Sequence, residues 1–207
     1  EFIAMLEDMG AQNLIGLTAV GGEPFLTQDS LEIIRYLSER QDLGLLFSTN
    51  TNGTLLHNHK DTLLKFRHLA LEFSIEGFEG NYERIRRGAS WRRVMENFEW
   101  YAQAAKERPG WFVGVNSIVM KTSLPDMARV IELARGKAHR VRFTPIMGDY
   151  VDENIFQFPD LVADIPWQRH FDEAIQAAGE DFPAAARGLK SARRLLEQAL
   201  SARSGGS

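Results

Sequence analysis

From residue 14 to residue 146, short apolar runs alternate with stretches whose apolar residues recur every three or four positions. Few folds accept that alternation. A strand, a crossover helix and a second strand lie side by side in parallel, and repeats of the unit build a parallel sheet covered by helices. Strands are predicted at 14–20, 43–49, 69–75, 111–120 and 140–146. Phe2, Met5, Leu6 and Met9 follow a helical spacing at the start of the chain. Thr27 is placed to N-cap a helix with Leu31, Ile34 and Leu37 on its apolar face. A short helix is expected over 58–66. Another is opened by Ser90 and carries Val94, Phe98, Tyr101 and Ala105. Ser123-Leu124-Pro125-Asp126 reads as a capping box before Met127, Val130, Ile131 and Ala134. After Gly148 the rhythm changes. Residues 149–165 read as loop, and helices follow at 166–178 and 183–202, with Phe171, Ala174, Leu189 and Leu196 facing inward. Residues 204–207 read as a frayed end.

Right-handed crossovers put the C-terminal ends of all parallel strands on one rim, where ligands of such sheets bind. Three strand ends here carry polar signals. The first ends in Gly21-Gly22-Glu23-Pro24. The glycines permit a sharp turn or close approach to a ligand, and Glu23 offers a carboxylate suited to an ammonium group. A tight turn with a solvated glutamate is the plain alternative. The second strand runs into Ser48-Thr49-Asn50-Thr51-Asn52-Gly53, small hydrogen-bonding side chains that suit ribose hydroxyls or a carboxylate, or form an ordinary Asn-Gly turn. On the third strand, alternation sets Glu72, Ser74 and Glu76 on one face, opposite Phe73 and Ile75. Arg84, Arg86 and Arg87 follow. One of them could pair with a ligand carboxylate, and the others read as a solvated basic helix start.

The net charge of −4 gives no global basic character for nucleic acid or anionic membranes, and no apolar run approaches a membrane span. With 44% hydrophobic and 25% charged residues, the chain is expected to be cytoplasmic, without nucleic-acid or membrane partners. His57-Asn58-His59 could suggest a metal, but residues two apart do not share a helix face, and loop histidines are the preferred reading. Tyr150, Phe156, Phe158 and Trp167 either cover an open side of the sheet, the preferred reading, or line a substrate groove. No Gly-x-Ser-x-Gly elbow and no strand-end Schiff-base lysine supports a hydrolase or aldolase.

Taken in order, these segments resemble the radical SAM superfamily. The resemblance runs through Leu17-Thr18-Ala19-Val20-Gly21-Gly22-Glu23-Pro24, Ser48 to Gly53, and Phe73-Ser74-Ile75-Glu76-Gly77. It continues through Tyr82-Glu83-Arg84-Ile85-Arg86-Arg87-Gly88-Ala89-Ser90-Trp91, Val115 to Met120, and Arg142-Phe143-Thr144-Pro145. Details look closest to the branch that carries a C-terminal cluster extension and modifies peptides and proteins. The resemblance implies an α/β fold, a partial TIM-like (β/α)6 half-barrel. It also implies S-adenosylmethionine bound against a [4Fe–4S] cluster, a 5′-deoxyadenosyl radical, and hydrogen abstraction, with a peptide or protein as substrate and a reductant as partner. Residue by residue, it implies that Gly21, Gly22, Glu23 and Pro24 hold the methionine amino group. Ser48 and Asn52 lie near polar ligand atoms, Ser74 and Glu76 sit by the ribose or carboxylate, and Arg86 pairs with the carboxylate. Glu76 stands where Asp is common, and Trp91 where Phe is common.

One departure is serious. The family's CxxxCxxC cluster motif follows its first strand, and this sequence contains no cysteine. Thiolates are needed to bind the cluster. The chain opens inside a helical pattern, so it reads as a piece of a longer protein, a half-barrel lacking its first strand. Residues 1–148 would be the partial core and 149–207 a helical extension. The cluster ligands would then lie outside the sequence, and the chain alone is expected to be inactive. The competing reading is a cluster-less binding or regulatory module that retains the fold. A bared edge on the 14–20 strand predicts poor solubility or self-association.

Overall fold

The computed structural model describes residues 1–10, 14–40 and 44–204. Helix α1 (Phe2–Asp8) leads to β1 (Gly16–Ala19), α2 (Gln28–Glu39), β2 (Leu46–Thr51), α3 (Lys60–Leu64) and β3 (Leu69–Ser74). Then come α4 (Glu79–Ile85), α5 (Trp91–Lys106), β4 (Trp111–Val119), α6 (Met127–Ala134), β5 (Arg140–Pro145), α7 (Trp167–Ala178) and α8 (Pro183–Ser204). The strands lie in the order β1-β2-β3-β4-β5, and β1–β2 and β2–β3 pair in parallel. This is the alternating α/β fold with a parallel sheet and a C-terminal helical extension that the sequence implied. No helix among the described residues is long and apolar enough to cross a membrane. The expected start of the second strand at Leu43 and the expected frayed residues 205–207 lie outside the described residues.

The described chain forms two compact units, residues 1–74 with 92–114 and residues 75–91 with 115–207. In the first unit β3 alternates buried Leu69, Leu71 and Phe73 with half-buried Ala70, Glu72 and Ser74. That is the period of two expected for a strand with one core face. Its core face meets α5, where Val94, Phe98, Tyr101 and Ala105 are buried at helical spacing. Phe73 and Phe98 meet edge to face at 5.1 Å, and Tyr101 stacks on Trp111 at 4.9 Å. Thr27 caps α2 as expected, its side chain accepting from the Ser30 amide at 3.3 Å. Strand β1 is poorly covered. Ile15 and Val20, which flank it, are 91% and 84% exposed.

In the second unit α6 buries Met127, Val130, Ile131 and Ala134, the stripe read from the sequence. Helices α7 and α8 pack against each other, and α8 also packs on β5. The close approach of α8 needs Gly188, because a Cβ there would lie 2.6 Å from the Phe143 carbonyl oxygen. One local expectation fails. The Ser123–Asp126 capping box is absent. Residues Lys121–Asp126 form a 3-10 turn, and Asp126 precedes α6 without capping it. The buried Asp126 carboxylate instead accepts from the Phe78 amide at 3.0 Å and Asn81 Nδ2 at 2.7 Å. Those bonds anchor α4, a helix that Gly80 and Asn81 hid from sequence reading through their poor helix propensity.

Candidate functional site

The first unit presents the two strand-end segments at the close of β1 and β2. At the first, Gly21 adopts φ 104°, a left-handed value that only glycine takes at no steric cost. Gly21 and Gly22 are exposed, while Pro24 and Phe25 are buried and pin the exit of the turn. Glu23 is not simply solvated. Its Oε1 accepts from Thr51 Oγ1 at 2.8 Å and from the Phe25 amide at 3.3 Å, and its Oε2 accepts from the Asn52 amide at 2.7 Å. The carboxylate therefore ties the Gly-Gly-Glu-Pro turn to the loop after β2. Thr51 Oγ1 also accepts from the Gly53 amide at 3.0 Å, and Asn52 Oδ1 accepts from the Thr54 amide at 2.9 Å. Gly53 has φ 75° and packs tightly, with the Phe73 ring 3.1 Å from where a Cβ would stand.

Register places Thr18 of β1 beside Ser48 of β2, and their hydroxyls are 2.7 Å apart. Asn50 registers with Glu72, so Thr18, Ser48, Asn50, Glu72 and Ser74 share the polar side of the first unit's strands. The structure thus gathers Gly21, Gly22, Glu23, Pro24 and Asn52 through the Glu23 bonds, and sets Ser48 and Ser74 on one sheet face. Thr51 was named among the hydrogen-bonding side chains after the second strand, but its bond to Glu23 was missed. Its hint was parity: it falls on the buried side with Phe47 and Thr49, where a hydroxyl needs a partner.

The second unit holds a cavity of about 890 Å³, within the size range of small-molecule sites. Glu76 and the three arginines Arg84, Arg86 and Arg87 form its charged side. Asn116, Ile118 and Met120 enter from β4, and Thr144 and Ile146 from β5 and its exit. Glu76 is 2% exposed and forms a two-pronged pair with Arg86: Nε donates to Oε2 at 2.7 Å and Nη2 to Oε1 at 2.6 Å. Such fork-to-fork pairing fixes both side chains. The sequence singled out Glu76 and Arg86 as separate ligand contacts, and the structure joins them to each other. Arg84 Nη2 donates to Asn81 Oδ1 at 2.8 Å. Glu153 holds the 3-10 turn, accepting from the Thr122 amide at 2.8 Å and from the Thr122 hydroxyl. Tyr150 lines the cavity and is 59% exposed, while Trp167 is buried.

The sequence histidines serve other contacts in the first unit. His57 Nε2 lies 2.7 Å from Arg93 Nη1. His59 stacks on the Phe25 ring at 5.7 Å. Burial lowers the His59 pKa, aided by the positive charges of Arg35 and His57 and opposed by its bond to the Phe25 backbone. Among the described residues, no group of three or more His, Cys, Asp or Glu side chains is placed to hold a metal. The family model of the radical SAM superfamily matches residues 1–144. A GTP 3′,8-cyclase of Erythrobacter litoralis is 27% identical over 156 residues, covering 72% of this chain and 46% of that protein. A GTP 3′,8-cyclase of Synechocystis sp. is 26% identical over 151 residues, covering 71% of this chain and 43% of that protein. The chain spans less than half the length of these curated relatives.

Proposed function

The chain belongs to the radical SAM superfamily, and from that premise we propose that it binds S-adenosylmethionine as part of an enzyme that abstracts hydrogen from a substrate. The observation that carries this reading is the second unit's cavity. A buried glutamate holds Arg86 there in a fixed orientation, beside an apolar wall that includes Ile118 and Met120. A guanidinium of set direction suits the methionine carboxylate, and the apolar wall suits a flat base. In the first unit, the Gly21-Gly22-Glu23-Pro24 turn is the segment that the resemblance assigns to the methionine amino group, and the Glu23 carboxylate ties that turn to the loop after β2. Ser48, Asn52 and Ser74 supply the polar surroundings that the resemblance assigns to them. The partial core would run over 1–148, and 149–207 would be its extension.

The residues present do not fit a [4Fe–4S] cluster. The sequence contains no cysteine, and cluster iron is held by thiolates. No step of the proposed function runs through that group, and its ligands and reductant are assigned outside this sequence. We place the substrate as a peptide or protein, after the branch that the sequence details resemble. A nucleotide is the second reading, favoured by the name GTP 3′,8-cyclase of the two relatives. A module that binds without catalysis is the alternative that the missing cysteines favour.

Isothermal titration of the purified chain with S-adenosylmethionine tests the reading. Micromolar-range binding is expected, with Arg86→Gln weakening it about tenfold through loss of one charge-assisted contact. No binding at about 1 mM ligand rejects the proposal. A peptide library and GTP, each titrated with S-adenosylmethionine present, separate the two substrate readings.

A further inference from the structure

The cavity of the second unit has more positive charge than its own carboxylates neutralise. Of its three arginines, Arg86 is committed to Glu76 and Arg84 to the side chain of Asn81. The other lining carboxylate, Glu153, is occupied by Thr122. Arg87 lines the same cavity, is exposed, and meets no acceptor among the described residues.

Arg87 is nevertheless well positioned by its backbone. The Ala89 amide donates to the Arg86 carbonyl at 3.0 Å, closing a tight turn in which Arg87 and Gly88 are the central pair. Gly88 has φ 87°, the value a type II turn demands at its third position. Arg86 is clamped immediately before this turn, so the backbone of Arg87 is anchored next to a fixed residue. Part of the cavity lining is apolar. Met147 and Tyr150 line it and are 85% and 59% exposed, and Gly148 between them takes φ 98°. An uncommitted guanidinium in the same cavity as exposed apolar side chains is matched by a ligand with an anionic group joined to a flat apolar body.

We infer that Arg87, with Arg84 beside it, forms an anion subsite for the substrate, separate from Arg86, taking a carboxylate or a phosphate monoester while Met147 and Tyr150 take the attached apolar group. The inference deepens the proposed function and rests on it for assigning this ligand as the substrate. The interaction is a charge-assisted, two-pronged hydrogen bond and involves no covalent step.

Calorimetric titration of the purified chain with phenyl phosphate, phenylacetate and benzyl alcohol tests it, with and without saturating S-adenosylmethionine. At least one of the anions is expected to bind about tenfold more tightly than benzyl alcohol, and the preferred anion identifies the natural headgroup. Arg87→Gln should weaken that anion about tenfold and change S-adenosylmethionine affinity less than about twofold. Arg87→Lys should recover part of the loss, since the charge returns without the planar fork. Arg87 is exposed, and matching thermal melts of the variants exclude unfolding as the cause. The inference is overturned if neither anion binds at about 10 mM, if Arg87→Gln leaves anion binding unchanged, or if S-adenosylmethionine displaces the probe. Failure of S-adenosylmethionine itself to bind, with Arg87-dependent anion binding intact, removes the proposed function and leaves the anion subsite standing.

Discussion

Glu23 in the first unit and Glu76 in the second are both strand-end glutamates, yet one is held by neutral donors and the other by a guanidinium. Around Glu23 the donors include a threonine hydroxyl and two backbone amides. They hold the carboxylate in place and tie the Gly-Gly-Glu-Pro turn to the loop after β2. Around Glu76 the charge is cancelled by Arg86, and the product is a fixed guanidinium in a cavity that also holds Arg84 and Arg87. The same residue type thus serves two ends. One glutamate shapes a turn through its hydrogen bonds, while the other orients a neighbouring guanidinium. Glu76 therefore fixes the direction of the Arg86 guanidinium.

The contrast is most exposed to attack at Glu76. Glu76→Ala should destabilise the protein by about 3 kcal/mol, the scale for removing one member of a buried pair, read as a lower urea midpoint. The paired replacement Glu76→Leu with Arg86→Met should recover most of the loss, because apolar residues of similar volume replace a buried ion pair at little cost. A single-variant loss under about 1 kcal/mol would show that the pair is solvated, and the two glutamates would no longer differ in kind. Glu23→Gln ranks next. The amide presents its own donors to the Asn52 or Thr51 donor, leaving one buried group unpaired at a cost of about 2 kcal/mol. Thr51→Val should cost about 1 kcal/mol, and a double-mutant cycle with Glu23→Gln should show coupling. Strict additivity would mean that Glu23 does not hold the loop after β2.

Much of this architecture was legible because it follows from periodicity. The stripes of α2, α5 and α6 and the alternation of β3 were read from spacing, and the expected residues are buried except Leu31 of α2, which is half-buried. What escaped was set by pairs distant in sequence. Glu23 and Thr51 lie 28 residues apart, and Asp126 reaches Asn81 across 45. No local pattern announces such partners. Asp126 looked like a capping residue because its neighbours fit that template, yet a buried carboxylate goes where several donors converge. Strand β1 shows a different limit. The apolar run at 14–20 reads as a strand with a bared edge, and apolar sequence records a demand for burial rather than its fulfilment. Ile15 and Val20 remain exposed beside a strand whose described sheet partner is β2.

The smallest predicted effect sharpens the contrast from the first unit's side. His59 packs on Phe25, whose amide donates to Glu23, so protonating it would place a positive charge next to the turn. Burial, then Arg35 and His57, hold its folded pKa below the ordinary value. On acidification the unfolded chain therefore takes up the proton first. The resulting stabilisation is complete above the unfolded pKa of about 6.5 and is lost as pH falls through the folded value. Urea midpoints measured from pH 7.5 down to pH 5 should fall for the parent protein and fall less for His59→Phe, which keeps the ring contact without the titrating group. No histidine lines the second unit's cavity among the described residues, so anion binding that depends on Arg87 should show no such His59 dependence. Equal slopes in parent and variant would mean that His59 titrates as if solvated. The Phe25 side of the Glu23 turn would then be more open to water than its packing indicates.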